Sequence, residues 1–257
     1  KLYDPRKDST NGGSGSHRLA DASTWEFSSN PALCLADYLK DATLGMGEDS
    51  SRIDWAMVAT AAAECDESVS IPGSATQPRY TCNTVLYATQ PYEDNIGILA
   101  GAMLGHCIYS GGKWRMWAGS WPLTTEFELT ESDLVEQGVE LTTAFPYNER
   151  YNGVRGTFID PANNYQQNEF PAVQSATYVS ADGESVFRDV RFDACTNVYE
   201  AQRAAIILTR KSRNRDSAVL RCNMSAWRIR PGEVGIVSIA ELGWSNKQVR
   251  CEGWKFN

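Results

Sequence analysis

Few pairs of residues in this sequence could act as a nucleophile and its general base, since the chain has only two histidines. His106 precedes Cys107, and a thiol beside an imidazole could form a nucleophile and base. Both residues begin a run that predicts a β-strand, in which neighbouring side chains point to opposite faces. We therefore interpret Cys107 as a packed residue at the start of a hairpin. His17 lies in a Gly/Ser-rich loop, and no GxSxG motif indicates a serine hydrolase.

Paired carboxylates are the remaining enzymatic option, because a glycosidase needs two acids at a suitable separation. The chain has 32 Asp and Glu residues, and two local pairs are Glu126 with Glu128 and Asp37 with Asp41. Exposed acids that keep a protein soluble are far commoner than catalytic pairs. We favour that role for these carboxylates, and a glycan or peptidoglycan hydrolase stays as an alternative function.

The eight tryptophans raise a second alternative, a carbohydrate- or receptor-binding module, because indole rings can line a sugar-binding groove. Half of them lie in strand-like runs, where packing in a core is the simpler explanation. These four are Trp114, Trp117, Trp227 and Trp254.

Neither a metal nor a cofactor is expected. The seven cysteines are scattered, odd in number and without a CxxC pair, which argues against a disulfide framework and a structural zinc site. We interpret them as small buried hydrophobic residues of a protein in a reducing cytoplasm. Nucleotide, zinc-protease and EF-hand motifs are missing from the sequence. We expect a protein that is not an enzyme.

The formal net charge of −8 argues against a globally basic nucleic-acid-binding protein. One basic patch departs from this balance, comprising Arg210, Lys211, Arg213 and Arg215. We favour a solvated helix end, where basic residues complement the helix dipole. The next interpretation is a contact with acidic surface on a neighbouring subunit, or a surface that faces DNA passing through a pore.

The first half predicts helices packed on a small antiparallel sheet. Helices are expected over 31–44, 53–67 and 91–105, and Asn30 can cap the first of them before Pro31. The second follows a serine cap at Ser50 and Ser51. Strands are expected over 79–86, 107–110 and 113–117, the last two joined by a Gly-Gly turn. We expect an α+β domain over 20–122, preceded by a strand and loop over 1–19.

The second half predicts a β-rich domain over 123–257. A capping-box-like start at Thr130–Asp133 indicates a short helix, and one longer helix is expected over 197–211 with Ala201, Ala204, Ala205 and Leu208 buried. The fold class is therefore α+β, with helices on a small sheet followed by a barrel- or sandwich-like domain carrying one helix. Strands are expected over 139–145, 153–159, 173–179, 186–192, 219–228, 234–242 and 247–256.

No apolar run reaches the roughly 18 residues that a membrane span needs, and no signal-peptide pattern begins the chain. A start at Lys1 without Met, already strand-like, suggests a piece of a longer polypeptide with further domains.

Several segments resemble, in the same order and spacing, the tip attachment (host specificity) proteins of lambda-like long-tailed phages. A looser later group fits the next hub domain of that family, and Asn83-Thr84 departs from the Asn-Gly that we expect at one turn. The first group is Tyr3-Asp-Pro-Arg6, Trp25-Glu-Phe-Ser-Ser-Asn-Pro-Ala-Leu33, Asp37-Tyr-Leu39, Cys65-Asp-Glu67, Arg79-Tyr-Thr-Cys-Asn83 and Tyr109-Ser-Gly-Gly-Lys-Trp114. The later group is Asn152-Gly-Val-Arg-Gly-Thr-Phe158, Gln202-Arg203-Ala204 and Pro231-Gly-Glu-Val234.

The resemblance implies a structural tail-tip hub of a phage or prophage virion, made and assembled in the bacterial cytoplasm. It implies a homotrimer of the full-length protein at the end of the tail tube, in contact with other tail-tip and tail-tube proteins. Host receptors would bind regions outside this chain, and DNA would pass through without specific binding. No catalytic residue carries over.

Overall fold

The computed structural model describes residues 1–119, 125–142, 150–213 and 217–255. Contacts divide them into two compact units. The first consists of the described residues of 1–120 and 151–210, and the second of those of 121–150 and 211–257. Helices and strands are both abundant, and the predicted α+β class is confirmed.

The described residues form five α-helices: α1 (Pro31–Lys40), α2 (Trp55–Cys65), α3 (Tyr92–Ala102), α4 (Ala176–Asp182) and α5 (Val198–Lys211). The strands are β1 (Ser68–Ile71), β2 (Ala75–Pro78), β3 (His106–Ser110), β4 (Lys113–Trp117), β5 (Phe127–Thr130), β6 (Leu134–Thr142), β7 (Gly153–Asp160), β8 (Gln166–Gln174), β9 (Phe187–Phe192), β10 (Ser217–Cys222), β11 (Val234–Ile239) and β12 (Trp244–Arg250).

The first two helices of the first unit begin at polar caps. Asn30 accepts hydrogen bonds from the Ala32 and Leu33 amides at 3.1 and 3.4 Å, as the sequence predicts. α2 begins later than predicted, because its cap is Asp54, which accepts a hydrogen bond from the Met57 amide. The apolar faces of α1, α2 and α3 share one core, which includes Leu35, Leu39, Val58, Ala62, Leu99 and Met103.

Two antiparallel hairpins accompany these helices, β1 with β2 and β3 with β4. The predicted hairpin around Gly111 and Gly112 is confirmed: both glycines have left-handed φ values, 60° and 77°. The predicted strand over 79–86 is wrong. Tyr80 and Cys82 are buried there, but their amides donate to the Cys65 and Ser29 carbonyls beside the helices. Alternating burial thus arises without sheet pairing.

The first unit also contains a three-stranded sheet in the order β8-β7-β9, with β7 and β9 parallel. α5 packs on it, and Ala201 and Ala205 are buried in the same core as Val154, Phe158 and Phe170. The predicted helix over 197–211 and its alanine face are therefore confirmed. The predicted strand over 173–179 is wrong, since the chain leaves β8 and forms α4.

The second unit contains a three-stranded sheet, β12-β11-β5, and a two-stranded sheet of β6 and β10. Leu129, Val237 and Ile239 are buried in its core. The predicted start at Thr130 is present, because Asp133 accepts a hydrogen bond from the Thr130 amide at 2.9 Å, but only a single 3-10 turn follows.

Two finer expectations for residues 123–257 need correction. The described strands there form separate sheets of two or three strands and no closed barrel, and two α-helices are present rather than one. Residues 151–210 pack with the first part of the chain, whereas the sequence predicts that they belong to the second domain. Contacts within the folded chain do not show which segments fold independently, so the domain boundaries stay predictions.

Candidate functional site

A polar cluster is buried at the N-terminus of the first unit, where the sequence predicts a loose loop. The Asp8 carboxylate is 1% exposed and accepts hydrogen bonds from Tyr3, Thr10 and Arg18. The Tyr3 hydroxyl donates at 2.8 Å, the Thr10 amide and hydroxyl at 2.8 and 2.7 Å, and the Arg18 guanidinium at 3.1 Å. The Thr10 hydroxyl bond is the main reason that the pKa of Asp8 falls to about 2.

His17 closes the same cluster. Its Nδ1 accepts a hydrogen bond from the Asp4 amide at 3.1 Å, and its Nε2 lies 4.0 Å from the Glu26 carboxylate. Arg6 forms ion pairs with Asp4 and Asp66, both at 2.7 Å. These residues line a cavity of about 100 Å³. A second cavity of about 460 Å³ lies beside Asp8.

The cluster fixes the N-terminal segment against α2. The Tyr3 ring meets the Trp55 ring edge-on at a centroid distance of 5.1 Å, so the segment is held by apolar contact as well as polar bonds. The Asp8 carboxylate and Arg6 guanidinium are engaged within the cluster. Its geometry therefore explains the local fold better than it explains a reaction.

Glu200 is another buried carboxylate of the first unit, only 4% exposed. It lies in the first turn of α5 and accepts hydrogen bonds from the Thr81 amide at 2.6 Å and the Thr81 hydroxyl at 2.7 Å. Arg203 donates to the Arg79 carbonyl at 3.1 Å. Burial raises the pKa of Glu200 to about 7, although the Thr81 bonds and the Arg203 charge lower it. The result is a polar clamp between α5 and segment 79–83.

The residues proposed for nucleophilic chemistry do not form a catalytic arrangement with one another. Cys107 is half-buried, and burial raises the pKa of its thiol to about 12. His106 is exposed, and its ring lies 5.6 Å from that of Trp117. A protonated thiol is a poor nucleophile, so the packing interpretation of Cys107 fits the structure.

The two acid pairs differ in exposure, since Asp37 and Asp41 are half-buried. Asp37 and Asp41 lie one turn apart at the end of α1, and burial raises the pKa of Asp37, with a smaller contribution from Asp41. Glu126 and Glu128 are both exposed. Burial, with the Glu233 charge, raises the pKa of Glu126. Neither pair lines the two cavities beside Asp8 and His17.

Within the described ranges, no group of three or more His, Cys, Asp and Glu side chains is placed to hold a metal ion. In that part of the chain, no helix is long and apolar enough to cross a bilayer.

The tryptophans divide between core and surface. Trp117 is buried, as predicted, but Trp227 and Trp254 are 57% and 45% exposed, so the core assignment is wrong for these two. Their rings are neighbours, with centroids 5.0 Å apart at 55°. Met224 is 67% exposed and stands three residues before Trp227 on one 3-10 turn, where such positions eclipse each other.

We call Met224, Trp227 and Trp254 the aromatic patch of the second unit. The sequence carries one signal that the predicted strand over 219–228 is interrupted. Asn223 accepts a hydrogen bond from the Ser225 amide at 2.8 Å and caps the 3-10 turn. An Asn-x-Ser segment inside a strand-like run therefore marks the point where the strand ends and a 3-10 turn places Trp227 at the surface.

The basic patch is only partly a solvated surface. Arg210 is exposed at the end of the first unit, whereas Lys211 and Arg213 belong to the second unit and are half-buried. Burial, helped by the Arg250 charge, lowers the pKa of Lys211. Arg215 lies outside the described residues. Whether the patch forms a contact stays a prediction.

One comparison with known proteins bears on the whole arrangement. A family model described as "putative phage tail protein" matches residues 92–247, which is more than half of the 257 residues. The match begins at α3, ends within β12 and includes Trp227 and the basic patch.

Proposed function

The chain belongs to the family of putative phage tail proteins, and we propose that it is a structural component of the tail tip. In this role it is the central hub and host attachment protein, and copies assemble as a trimeric ring at the end of the tail tube. Other tail-tip and tail-tube proteins contact this ring. DNA passes through it, and receptor binding belongs to regions outside this chain.

The observation that carries this proposal is the aromatic patch of the second unit. A Trp side chain buries about 150–250 Å² when it is covered, and contiguous exposed apolar surface marks protein–protein contacts. Trp residues are also enriched among those that dominate binding energy. Two neighbouring indoles and a Met on one surface are typical of a subunit contact.

The basic patch is proposed as a secondary, electrostatic part of the same assembly. Arg213 and Arg215 lie in an acidic chain, so copies present negative surface with which these guanidinium groups can pair. Replacing both with Gln should weaken association most at low salt, because salt screens the attraction between charges on different subunits. If this variant associates as the wild type does at every salt concentration, the patch is only a solvated helix end.

Sedimentation velocity over a concentration series tests the assembly directly. We expect the chain to self-associate to a trimer, and Trp227→Ala to raise the dissociation constant by about 30-fold, the loss of roughly 2 kcal/mol typical of a central contact residue. Tyr165→Ala is the matched control, because Tyr165 is 68% exposed but belongs to the first unit. A monomer at every concentration, or equal association of both variants, contradicts the proposal.

A tail hydrolase is the first alternative, and the raised pKa of Asp37 beside Asp41 is the observation that favours it. Zymography on bacterial cell walls separates the two functions. The structural proposal predicts no cleared band. A band that Asp37→Asn abolishes, while an equally folded Asp160→Asn variant retains it, would establish the hydrolase.

A carbohydrate- or receptor-binding module is the second alternative, because neighbouring exposed indoles can also stack on sugar rings. A glycan array and a whole-cell binding assay address it. The structural proposal predicts no saturable binding by this chain. Saturable binding that Trp254→Ala removes would favour the module.

A further inference from the structure

The sequence contains two Asn-Gly pairs, Asn11-Gly12 and Asn152-Gly153, and the structure places them in opposite surroundings. Asn-Gly deamidates more readily than other pairs, because glycine has no side chain to hinder the attack of its own amide nitrogen on the asparagine carboxamide. Both residues of the first pair are exposed, in the turn that follows Asp8. Asn152 is 0% exposed and directly precedes β7.

The reacting groups of Asn11-Gly12 are loosely held. Gly12 has a left-handed φ of 83°, and a Cβ added to it would meet no atom within 4 Å, so this glycine lies in open space. No acceptor in the described part of the chain holds the Gly12 amide. The Asn11 carboxamide donates from Nδ2 to the Tyr3 hydroxyl at 3.1 Å, and the described residues offer it no second hydrogen bond.

The same groups of Asn152-Gly153 are held firmly. The Gly153 amide donates to the Val186 carbonyl at 3.1 Å. The Asn152 carboxamide makes four hydrogen bonds of 2.8 to 3.3 Å, with Asp182, Glu184, Gln174 and Val186. An attack of the Gly153 nitrogen on this carboxamide would break most of these bonds, so it requires a local opening of the sheet.

We propose that Asn11 is a site of spontaneous deamidation, and that its conversion loosens the N-terminal segment from α2. The Gly12 nitrogen loses its proton to water and attacks the Asn11 carboxamide carbon. A C–N bond forms, and the side-chain nitrogen takes protons from water and leaves as ammonia. Water then opens the resulting succinimide at either carbonyl group, which gives aspartate or isoaspartate. The reaction consumes one water, releases one ammonia and oxidises nothing.

Either product disturbs the polar cluster around Asp8. The Tyr3 hydroxyl donates its proton to Asp8 at 2.8 Å and accepts from the Asn11 carboxamide. A carboxylate at position 11 therefore finds no donor there and adds a negative charge near Asp8. The Arg18 guanidinium is already engaged, because it donates to Asp8, Ser9, Gly15 and His17.

Isoaspartate has a second effect, because it adds a methylene group to the main chain. The turn is closed by the Gly13 amide, which donates to the Asp8 carbonyl at 2.9 Å, and by the Ser14 amide, which donates to the Arg6 carbonyl at 2.9 Å. A Cβ on Gly13 would lie 2.3 Å from two carbonyl oxygens of segment 5–6, so the turn packs tightly there. A longer main chain cannot keep both bonds, and the N-terminal segment is partly released.

Peptide mapping of the whole folded chain, incubated for several days, tests the site. We expect aspartate and isoaspartate to accumulate at position 11, faster at mildly alkaline than at mildly acidic pH, because the attacking nitrogen must lose its proton. Asn152 is the matched control within the same chain and should react at least about 100-fold more slowly. In urea the two positions should react at similar rates. Asn11→Gln should abolish the modification, since its longer side chain closes a ring far less readily.

Hydrogen exchange measures the structural consequence. Amides of residues 1–18 should exchange about tenfold faster in the aged chain than in the fresh one. Asn11→Asp, which supplies one product directly, should also accelerate this exchange. Asn168→Asp is the matched control, because Asn168 is an exposed residue of the first unit whose carboxamide donates to Asp160. It should leave the exchange of residues 1–18 unchanged.

Three results overturn the proposal: retention of Asn11 by the folded chain, equal reaction of Asn11 and Asn152 in the folded chain, or unchanged exchange of residues 1–18 after conversion. A virion protein is not replaced after assembly, so the modification would accumulate with age, and this importance rests on the proposed function. None of the readouts involves self-association. Sedimentation therefore judges the proposed function separately.

Discussion

Asp8 and Glu200 in the first unit are carboxylates only 1% and 4% exposed, whereas Trp227 and Trp254 in the second unit are indoles left 57% and 45% exposed. Both arrangements reverse the usual placement of their residue types. The buried carboxylates are stabilised by donors of their own chain, through Thr10 and Thr81. The exposed indoles gain most if another surface covers them. The first unit thus shows how the chain holds its own segments together, and the second carries the surface that we propose binds another copy.

The largest effect on stability is expected from a comparison of two tryptophans, because Trp117 is buried and Trp254 is exposed. Trp117→Ala removes a buried side chain, 8% exposed, and should lower the free energy of unfolding by about 4 kcal/mol. Trp254→Ala should change it by less than about 0.5 kcal/mol. Urea unfolding of both variants measures the difference. Equal losses would mean that the exposed indole is part of the core in solution.

Glu200 gives the next largest effect, as a dependence of stability on pH. Its folded pKa of about 7 lies above the ordinary value of 4.5, so the folded protein holds the proton while the unfolded chain releases it. Stability should therefore fall by up to about 3 kcal/mol as pH rises from about 4.5 to 7.

Glu200→Gln should remove this slope, since the amide cannot ionise and can still accept from the Thr81 amide. Glu241→Gln, an exposed acid of the second unit, should retain it. Urea midpoints measured from pH 4 to pH 8 make the comparison. A slope that persists in Glu200→Gln would show that another group is responsible.

The smallest effect tests the N-terminal cluster. Tyr3→Phe deletes the hydroxyl that donates to Asp8 at 2.8 Å and leaves the ring against Trp55, so about 1 kcal/mol of stability should be lost. Tyr165→Phe, at an exposed turn, should lose nothing measurable. If the two variants unfold at the same urea concentration, the Tyr3 bond contributes nothing to the fold.

Local chemistry was enough to predict several parts of this fold. Asn30 with Pro31 marked the start of α1, and Gly111 with Gly112 marked the β3–β4 turn, because a cap and a left-handed turn depend on a few neighbouring residues. The alanine face of α5 followed from helical periodicity.

Long-range contacts could not be predicted in the same way. The alternation over 79–86 predicted a strand, but the amides there bond to carbonyls beside α1 and α2, which no short window of sequence contains. The strand-like run around Trp227 likewise hid an exposed turn.

The central claim is that the aromatic patch of the second unit becomes buried between subunits, and hydroxyl-radical footprinting of the assembled tail against the separate chain tests it most directly. We predict that Trp227 and Trp254 are oxidised readily in the separate chain, diluted until it is monomeric, and strongly protected in the tail. Tyr165, in the first unit, should be oxidised equally in both samples and calibrate the dose. Equal oxidation of Trp227 and Trp254 in assembled and separate protein would contradict the account.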